Sequence, residues 1–290
     1  MRIGYPCLNH SVPCQANQTF RLRSYTPELL VTKIQRNLAC LHQILCYNIQ
    51  HNLRFFRISS DLIPFASHQV NQYDWPTHFQ AEFQHLGQLI RQHELRISMH
   101  PDQFTLLNPL APEILARSIA ELDYHCQLLD LMALDQSAKV QIHVGGVYGD
   151  KAAAMARFCQ NYRQLPDRIN RRLVIENDEV SYSVQDCLAL HQQLQIPILL
   201  DTLHHELLNQ GESLATAFAA VRPTWSAADG VPMVDYSSQA PAGRRGKHAA
   251  TLDSAHFQMI VAQLTGDYDL MLEIKDKEQS ALRAAHLLLG

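Results

Sequence analysis

Apolar residues along this chain fall into two alternating patterns. Eight short runs rich in β-branched, aromatic and aliphatic residues, "RIGYP" (2–6), "RFFRISS" (54–60), "LRISMH" (95–100), "KVQIHV" (139–144), "RLVIEN" (172–177), "IPILLD" (196–201), "VPMVDYSS" (231–238) and "DLMLEIK" (269–275), have the length and make-up of buried strands. Between them lie longer segments whose apolar residues recur at helical spacing, as in 27–50, 112–134, 183–194 and 253–264. A strand followed by a helix, eight times over, predicts an α/β protein built as a closed parallel (β/α)₈ or TIM barrel. An open doubly wound sheet is the alternative. The first strand-to-helix turns lack its G-x-G-x-x-G fingerprint, however, and eight repeats suit closure. No linker, low-complexity tract or break in composition divides the chain, so residues 1–290 are expected to form a single domain.

Composition narrows the class. At 290 residues and 47% hydrophobic content the chain can bury the core of one large barrel. A formal charge of −4 argues against a broad basic coat for nucleic acid while leaving room for a local basic groove. The seven cysteines are odd in number and contain no C-x-x-C pair, so neither a disulfide framework nor a thiolate zinc site is expected, and a reducing cytoplasm is favoured. The N-terminal "MRIGYPCLNHSV" has no apolar signal region, and no apolar run approaches the ~18 residues of a membrane span. A soluble cytoplasmic protein with no membrane partner is expected.

Sixteen histidines, against six lysines, change that bland picture, because several of them follow the apolar runs. In a barrel of this kind, residues at the C-terminal ends of the strands converge on one mouth. Taken in order, those ends carry Tyr5, then Ser59 and Ser60, His100, His143, Glu176, Asp201 with His204, Asp235 and Glu273. Six consecutive strands thus end in groups able to bind a metal. Carboxylates crowded in one mouth repel unless cations neutralise them. Imidazoles and carboxylates without thiolates suit Mn²⁺, Zn²⁺, Fe²⁺ or Co²⁺, and so many donors exceed a single tetrahedral site. Two or three ions fit, with Glu176 in the middle strand as a bridge. Such a cluster would acidify water and clamp the oxygens of a phosphate ester undergoing displacement. Sugar isomerases also place divalent ions in barrels, so the residue types alone leave both chemistries open.

The motifs "LIPFASH" (62–68), "SMHPDQF" (98–104), "HVGGVYGDK" (143–151), "IENDE" (175–179), "DTLHH" (201–205) and "LEIKDKE" (272–278), in this order and spacing from "GYPC" (4–7) to near the C-terminus, resemble those of the ATP-independent UV damage endonucleases, the UvsE/UVDE family. The resemblance implies a TIM barrel with about three metal ions, commonly Mn²⁺, that nicks DNA immediately 5′ to ultraviolet photoproducts and leaves 3′-hydroxyl and 5′-phosphate ends. Carried over motif by motif, it implies that His100, His143 and Glu176 hold one ion. Glu176, Asp201, Asp235 and Glu273 would hold a second, and His204 and His248 would serve a third. It also places His68 near the reacting phosphate, to orient water or stabilise charge. The seventh strand departs from the family's P-K-x-H pattern, with Met233 and Asp235 in the Lys and His positions. Aspartate remains a competent ligand, whereas Met233 supplies no hard donor to the third site.

The same resemblance implies a DNA-facing surface. Tyr5 and Asn9 resemble residues near the lesion pocket, and Gln103 with Phe104 takes the place of a Gln-Tyr pair that wedges into the duplex. Arg244, Arg245 and Lys247 of "AGRRGKH" (242–248) suit backbone phosphates. The expected cofactor is a set of two or three divalent ions, Mn²⁺ first with Zn²⁺ or Co²⁺ as alternatives, and the expected partner is damaged double-stranded DNA. No nucleotide cofactor is expected, and the chain is expected to act as a monomer. An abasic-site nuclease or sugar isomerase of the same barrel group, and a lesion-binding protein whose cluster has degraded at Met233 and Asp235, are the rival readings.

Overall fold

Each of the eight apolar runs forms a strand in the computed structural model, which describes residues 1–289: β1 Ile3–Pro6, β2 Phe55–Ile58, β3 Arg96–Met99, β4 Lys139–His143, β5 Leu173–Glu176, β6 Ile198–Asp201, β7 Met233–Tyr236 and β8 Asp269–Leu272. Every neighbouring pair is parallel, and β1 pairs with β8, which closes the barrel. One main helix follows each strand: α1 Pro27–Gln50, α2 Gln80–Gln92, α3 Pro112–Leu131, α4 Lys151–Tyr162, α5 Val184–Leu194, α6 Leu214–Val221, α7 Ser254–Val261 and α8 Glu278–Leu289. The expected TIM barrel is therefore the observed fold. No helix among the described residues is long and apolar enough to cross a membrane.

The strands are buried on both faces, and their alternation sorts side chains between two cores. Phe56 and Ile58 of β2, Ile175 of β5, Leu200 of β6 and Val234 of β7 pack outward against the helices. Phe55, Val174, Leu199, Met233 and Met271 instead meet one another, with Trp225, in a separate apolar cluster. That cluster is a layer inside the barrel. The next residue of the same phase on each strand lies one layer nearer the C-terminal mouth, and those residues are Arg57, Glu176, Asp201, Asp235 and Glu273.

The N-terminal end of the barrel is closed by paired charges. Asp269 accepts from the Arg2 backbone N–H at 2.7 Å and from the guanidinium groups of Arg2 and Arg96, each at 3.1 Å. Lys139 is ion-paired with Asp229. Arg172 donates to Asp130 and to the carbonyls of Leu134, Asp135 and Ala138.

Two expectations are corrected here. Cys14 and Cys40 form a disulfide that ties the β1–α1 connection to α1, which removes the cysteine argument for a reducing compartment. Tyr5 faces outward from β1 and is fully buried. Its hydroxyl donates to Asn48 Oδ1 on α1 at 2.5 Å and accepts from Asn9, itself 4% exposed. A one-residue difference in phase sends a strand's side chain to the other face, so Tyr5 packs against α1 and not into the mouth, and Asn9 is buried beside it.

Candidate metal centre

The mouth is assembled by strand register. His143 lies beside Glu176 across β4 and β5, and Asp201 lies beside Asp235 across β6 and β7. Local sequence then turns the loops. After His143 the chain takes φ +110° at Gly145, where a Cβ would sit 2.4 Å from Asn108 Oδ1. Only glycine fits that turn. After β6, Asp201 caps the short helix Thr202–Leu207 by accepting from His204 N at 2.7 Å, so the cap folds the His204 ring back over the mouth. The motif "DTLHH" thus caps a helix and carries candidate donor atoms at once. His100 is steadied from below: His125 Nε2 meets Ser60 Oγ at 2.9 Å, and Ser60 donates to the His100 carbonyl at 2.9 Å. Ser60 is therefore a support at its strand end, while Ser59 accepts from Asp61 N as a local cap.

Three overlapping groups bring donor atoms within 4.8 Å of one another: His100, His143 and Glu176; Glu176, Asp201 and His204; and Asp201, Asp235 and Glu273. Glu176 and Asp201 are each shared by two groups. The first group matches the expected set. The structure redistributes the others, because His204 joins Glu176 and Asp201, while His248 joins no group and lies with Nδ1 3.5 Å from Glu273 Oε2. His204 Nδ1 is 2.9 Å from the Asn177 carbonyl and 3.3 Å from Glu176 Oε1, with Nε2 3.6 Å from Glu179 Oε2, and His248 Nδ1 is 2.8 Å from the Glu273 carbonyl, contacts that fix each ring.

Electrostatics and unmet hydrogen bonds both fit a cation. Asp201 Oδ2, Asp235 Oδ1, and Nδ1 of His100 and His143 are buried without a hydrogen-bond partner. Burial pushes the Asp201 carboxyl up to about 6 against the pull of His204, with Glu176 and Glu273 adding to the rise. Burial also drives Asp235 well above the carboxylate range, although Arg57 opposes it. Glu176 goes the other way, since His143, His100 and His204 overcome burial and hold it well below its ordinary value. Burial would lower the His204 imidazole, yet Asp201, Glu176 and Glu179 raise it to about 11. Four carboxylates and three imidazoles crowded together with buried atoms left unpartnered form a donor set suited to divalent ions.

Arg57, Gln141 and Asn177 complete the site and were not singled out in the sequence. Arg57 is 3% exposed and pairs with Asp235 and Glu273. Gln141 Nε2 donates to Glu176 at 2.9 Å and to Asp235 at 2.8 Å. Asn177 clamps the backbone of Asp201 through both atoms of its amide. The two strand residues carry a readable signal: Arg57 is in phase with inward Phe55, and Gln141 lies two before His143.

The remaining expected residues lie outside the ligand groups. His68 is exposed, accepts from Val70 N at 3.0 Å through Nδ1, and lines a cavity of about 710 Å³ with Asp102, Phe104 and Arg117. Gln103 is exposed and Phe104 is 71% exposed, which excludes a core role for that ring. Arg244, Arg245 and Lys247 are exposed on the 239–248 hairpin and form no ion pair among the described residues, although Arg245 donates to the Leu207 carbonyl.

A family model described as UV-endonuclease UvdE matches residues 1–289. The chain belongs to the UvdE family. A UV DNA damage endonuclease of Clostridium perfringens (strain 13 / Type A) is 34% identical over 291 residues, covering 99% of this chain and 71% of that protein. The crystal structure of SacUVDE matches with a TM-score of 0.96 at 42% identity, covering 100% of this chain and 98% of that one. A D-psicose 3-epimerase matches with a TM-score of 0.55 at 13% identity, covering 84% of this chain and 91% of that one. The last shares the barrel alone, since a common fold carries no common chemistry. For this UvdE-family chain, function therefore has to be argued from the mouth and not from the barrel.

Proposed function

We propose that this chain is a metal-dependent endonuclease that hydrolyses the phosphodiester bond immediately 5′ to ultraviolet photoproducts, cyclobutane dimers and 6-4 products alike, in double-stranded DNA. The observation that carries the reading is the run of three overlapping donor groups sharing Glu176 and Asp201, in a chain of the UvdE family. His100, His143 and Glu176 would hold one divalent ion, and Asp201 with Glu176, His204, Asp235 and Glu273 would supply the rest of a cluster of two or three, Mn²⁺ first among the candidates. Bound there, divalent ions lower the pKa of water and offset charge on the phosphate oxygens.

The chain's own groups do the remainder. Water adds to phosphorus and the 3′ oxygen leaves, giving a 3′-hydroxyl and a 5′-phosphate. Exposed His68, with Nδ1 occupied by Val70 N, turns Nε2 to the phosphate or the incoming water. Gln103 and Phe104 enter the duplex where the photoproduct weakens stacking, and Arg244, Arg245 and Lys247 take backbone phosphates.

The test is a strand-cleavage assay with irradiated, abasic, nicked and intact duplexes, in Mn²⁺ and in chelator, each product end being mapped. Cleavage 5′ to photoproducts that chelator abolishes is the expected result. Cleavage confined to abasic sites would favour the rival nuclease, and tight binding of irradiated DNA without cleavage at any added metal would favour a lesion-binding protein.

A further inference from the structure

Arg57 holds a position among the donor groups that charge crowding would otherwise assign to an ion. Its guanidinium is 2.6 Å from Asp235 Oδ2 and 2.7 Å from Gln141 Oε1, and it is also paired with Glu273 Oε1. Gln141 closes the ring by donating to that same Asp235 oxygen and to Glu176. One oxygen of Asp235 and one of Glu273 are thus engaged by a cation that belongs to the fold. Beneath Asp235, β7 offers Met233, which is committed to the apolar layer with Phe55, Val174, Leu199 and Met271. At the rim, His204 is already grouped with Glu176 and Asp201, and His248 joins no group.

Charge balance follows from these contacts. Metal ligation requires deprotonated donors, so with ions bound Glu176, Asp201, Asp235 and Glu273 would bring four negative charges and the imidazoles none, and Arg57, which stays protonated in proteins, offsets one. Two divalent ions then leave an excess of a single positive charge, the complement of one phosphodiester group. A third ion would leave an excess of three beside a buried guanidinium, with like charges repelling at short range.

We propose that Arg57 is the resident cation of this centre, standing in for a third ion, so that the chain binds two divalent ions. The inference rests on reading the mouth as a metal centre, and its test requires no DNA. The full chain is loaded with Mn²⁺, desalted and assayed for manganese per chain by plasma mass spectrometry. Two ions are expected for wild type and for Arg57→Lys, and three for Arg57→Gln, which keeps a polar side chain but removes the charge. The double variant Arg57→Gln/Asp235→Asn deletes both charges of the pair, keeps an Oδ1 acceptor, and should return to two. Three ions in wild type, or two in folded Arg57→Gln, would overturn the proposal. Should Arg57→Gln fail to fold, the double variant decides: two ions uphold the charge offset, and one or three refute it. A chain that binds two ions but leaves irradiated DNA intact would sink the nuclease reading and leave the role of Arg57 standing.

Discussion

The two ends of the barrel treat buried charge in opposite ways. At the N-terminal end, Asp269 has three donors, Arg172 reaches three carbonyls besides Asp130, and no polar atom of Arg96, Lys139, Arg172, Asp229 or Asp269 is buried without a partner. At the C-terminal mouth, Asp201 Oδ2, Asp235 Oδ1, Arg57 Nε and Nδ1 of His100 and His143 all lack one. The same eight strands supply both ends. What differs is how far the fold partners its own buried groups, fully at the N-terminal end and only in part at the mouth, through Arg57 and Gln141.

The largest expected effect tests the mouth. Glu176→Gln keeps volume and removes the charge shared by two donor groups. Ion content should drop and nicking of irradiated duplex should fall by more than about 100-fold, while the circular dichroism spectrum is unchanged. Unaltered ion content and rate would make Glu176 as structural as the carboxylates at the far end. Asp269→Asn probes that far end. It leaves the buried Arg96 short of a counter-charge and should cost about 3–5 kcal/mol in urea denaturation. Ions bound per folded chain should not change; a loss of ions with little loss of stability would erase the distinction between the two ends.

Smaller effects sharpen the contrast. Phe104→Ala removes an exposed ring, so its melting temperature should match wild type while affinity for irradiated duplex weakens by about 1–3 kcal/mol. A variant that melts far earlier yet binds damaged DNA normally would rule out the wedge. The smallest effect is a pH slope. Burial would raise the Asp229 carboxyl, but Lys139, Ser226 and Gln136 hold it below 3.8. Its folded-state pKa is thus depressed, so its contribution is complete above 3.8 and is lost as pH falls through the lower folded value. The stability gap between wild type and Asp229→Asn should therefore narrow in acid. A gap that widens there would place the role of Asp229 outside the Lys139 pair.

Most of this architecture is readable from the chain. Short apolar runs of strand length, alternating with segments of helical spacing, locate all eight strands, and a polar residue ending an apolar run is enough to place His143, Glu176 and Asp201 at the mouth. What escaped depends on partners distant in sequence. Arg57 looks like an ordinary strand arginine until Asp235 and Glu273, 178 and 216 residues away, are known to flank it. Tyr5 reads as a mouth residue because a four-residue strand gives little phase information. His204 reads as a separate ligand until the Asp201 cap folds it onto Glu176. The Cys14–Cys40 bond escaped because cysteine spacing does not encode pairing.

Strand register has a consequence for how such a chain can change over generations. His143 opposite Glu176, and Asp201 opposite Asp235, are aligned by ladders only a few residues long. Insertion or deletion of one residue inside β5 or β6 would swing Glu176 or Asp201 into the helix layer and dismantle the donor groups at a stroke. The same change in the loops beyond the strand-end donors and beyond His204 would leave every donor residue in place and alter only the rim. Descendants of this barrel are free to trade rim loops and hence substrates, while the spacing within the strands is inherited all or nothing.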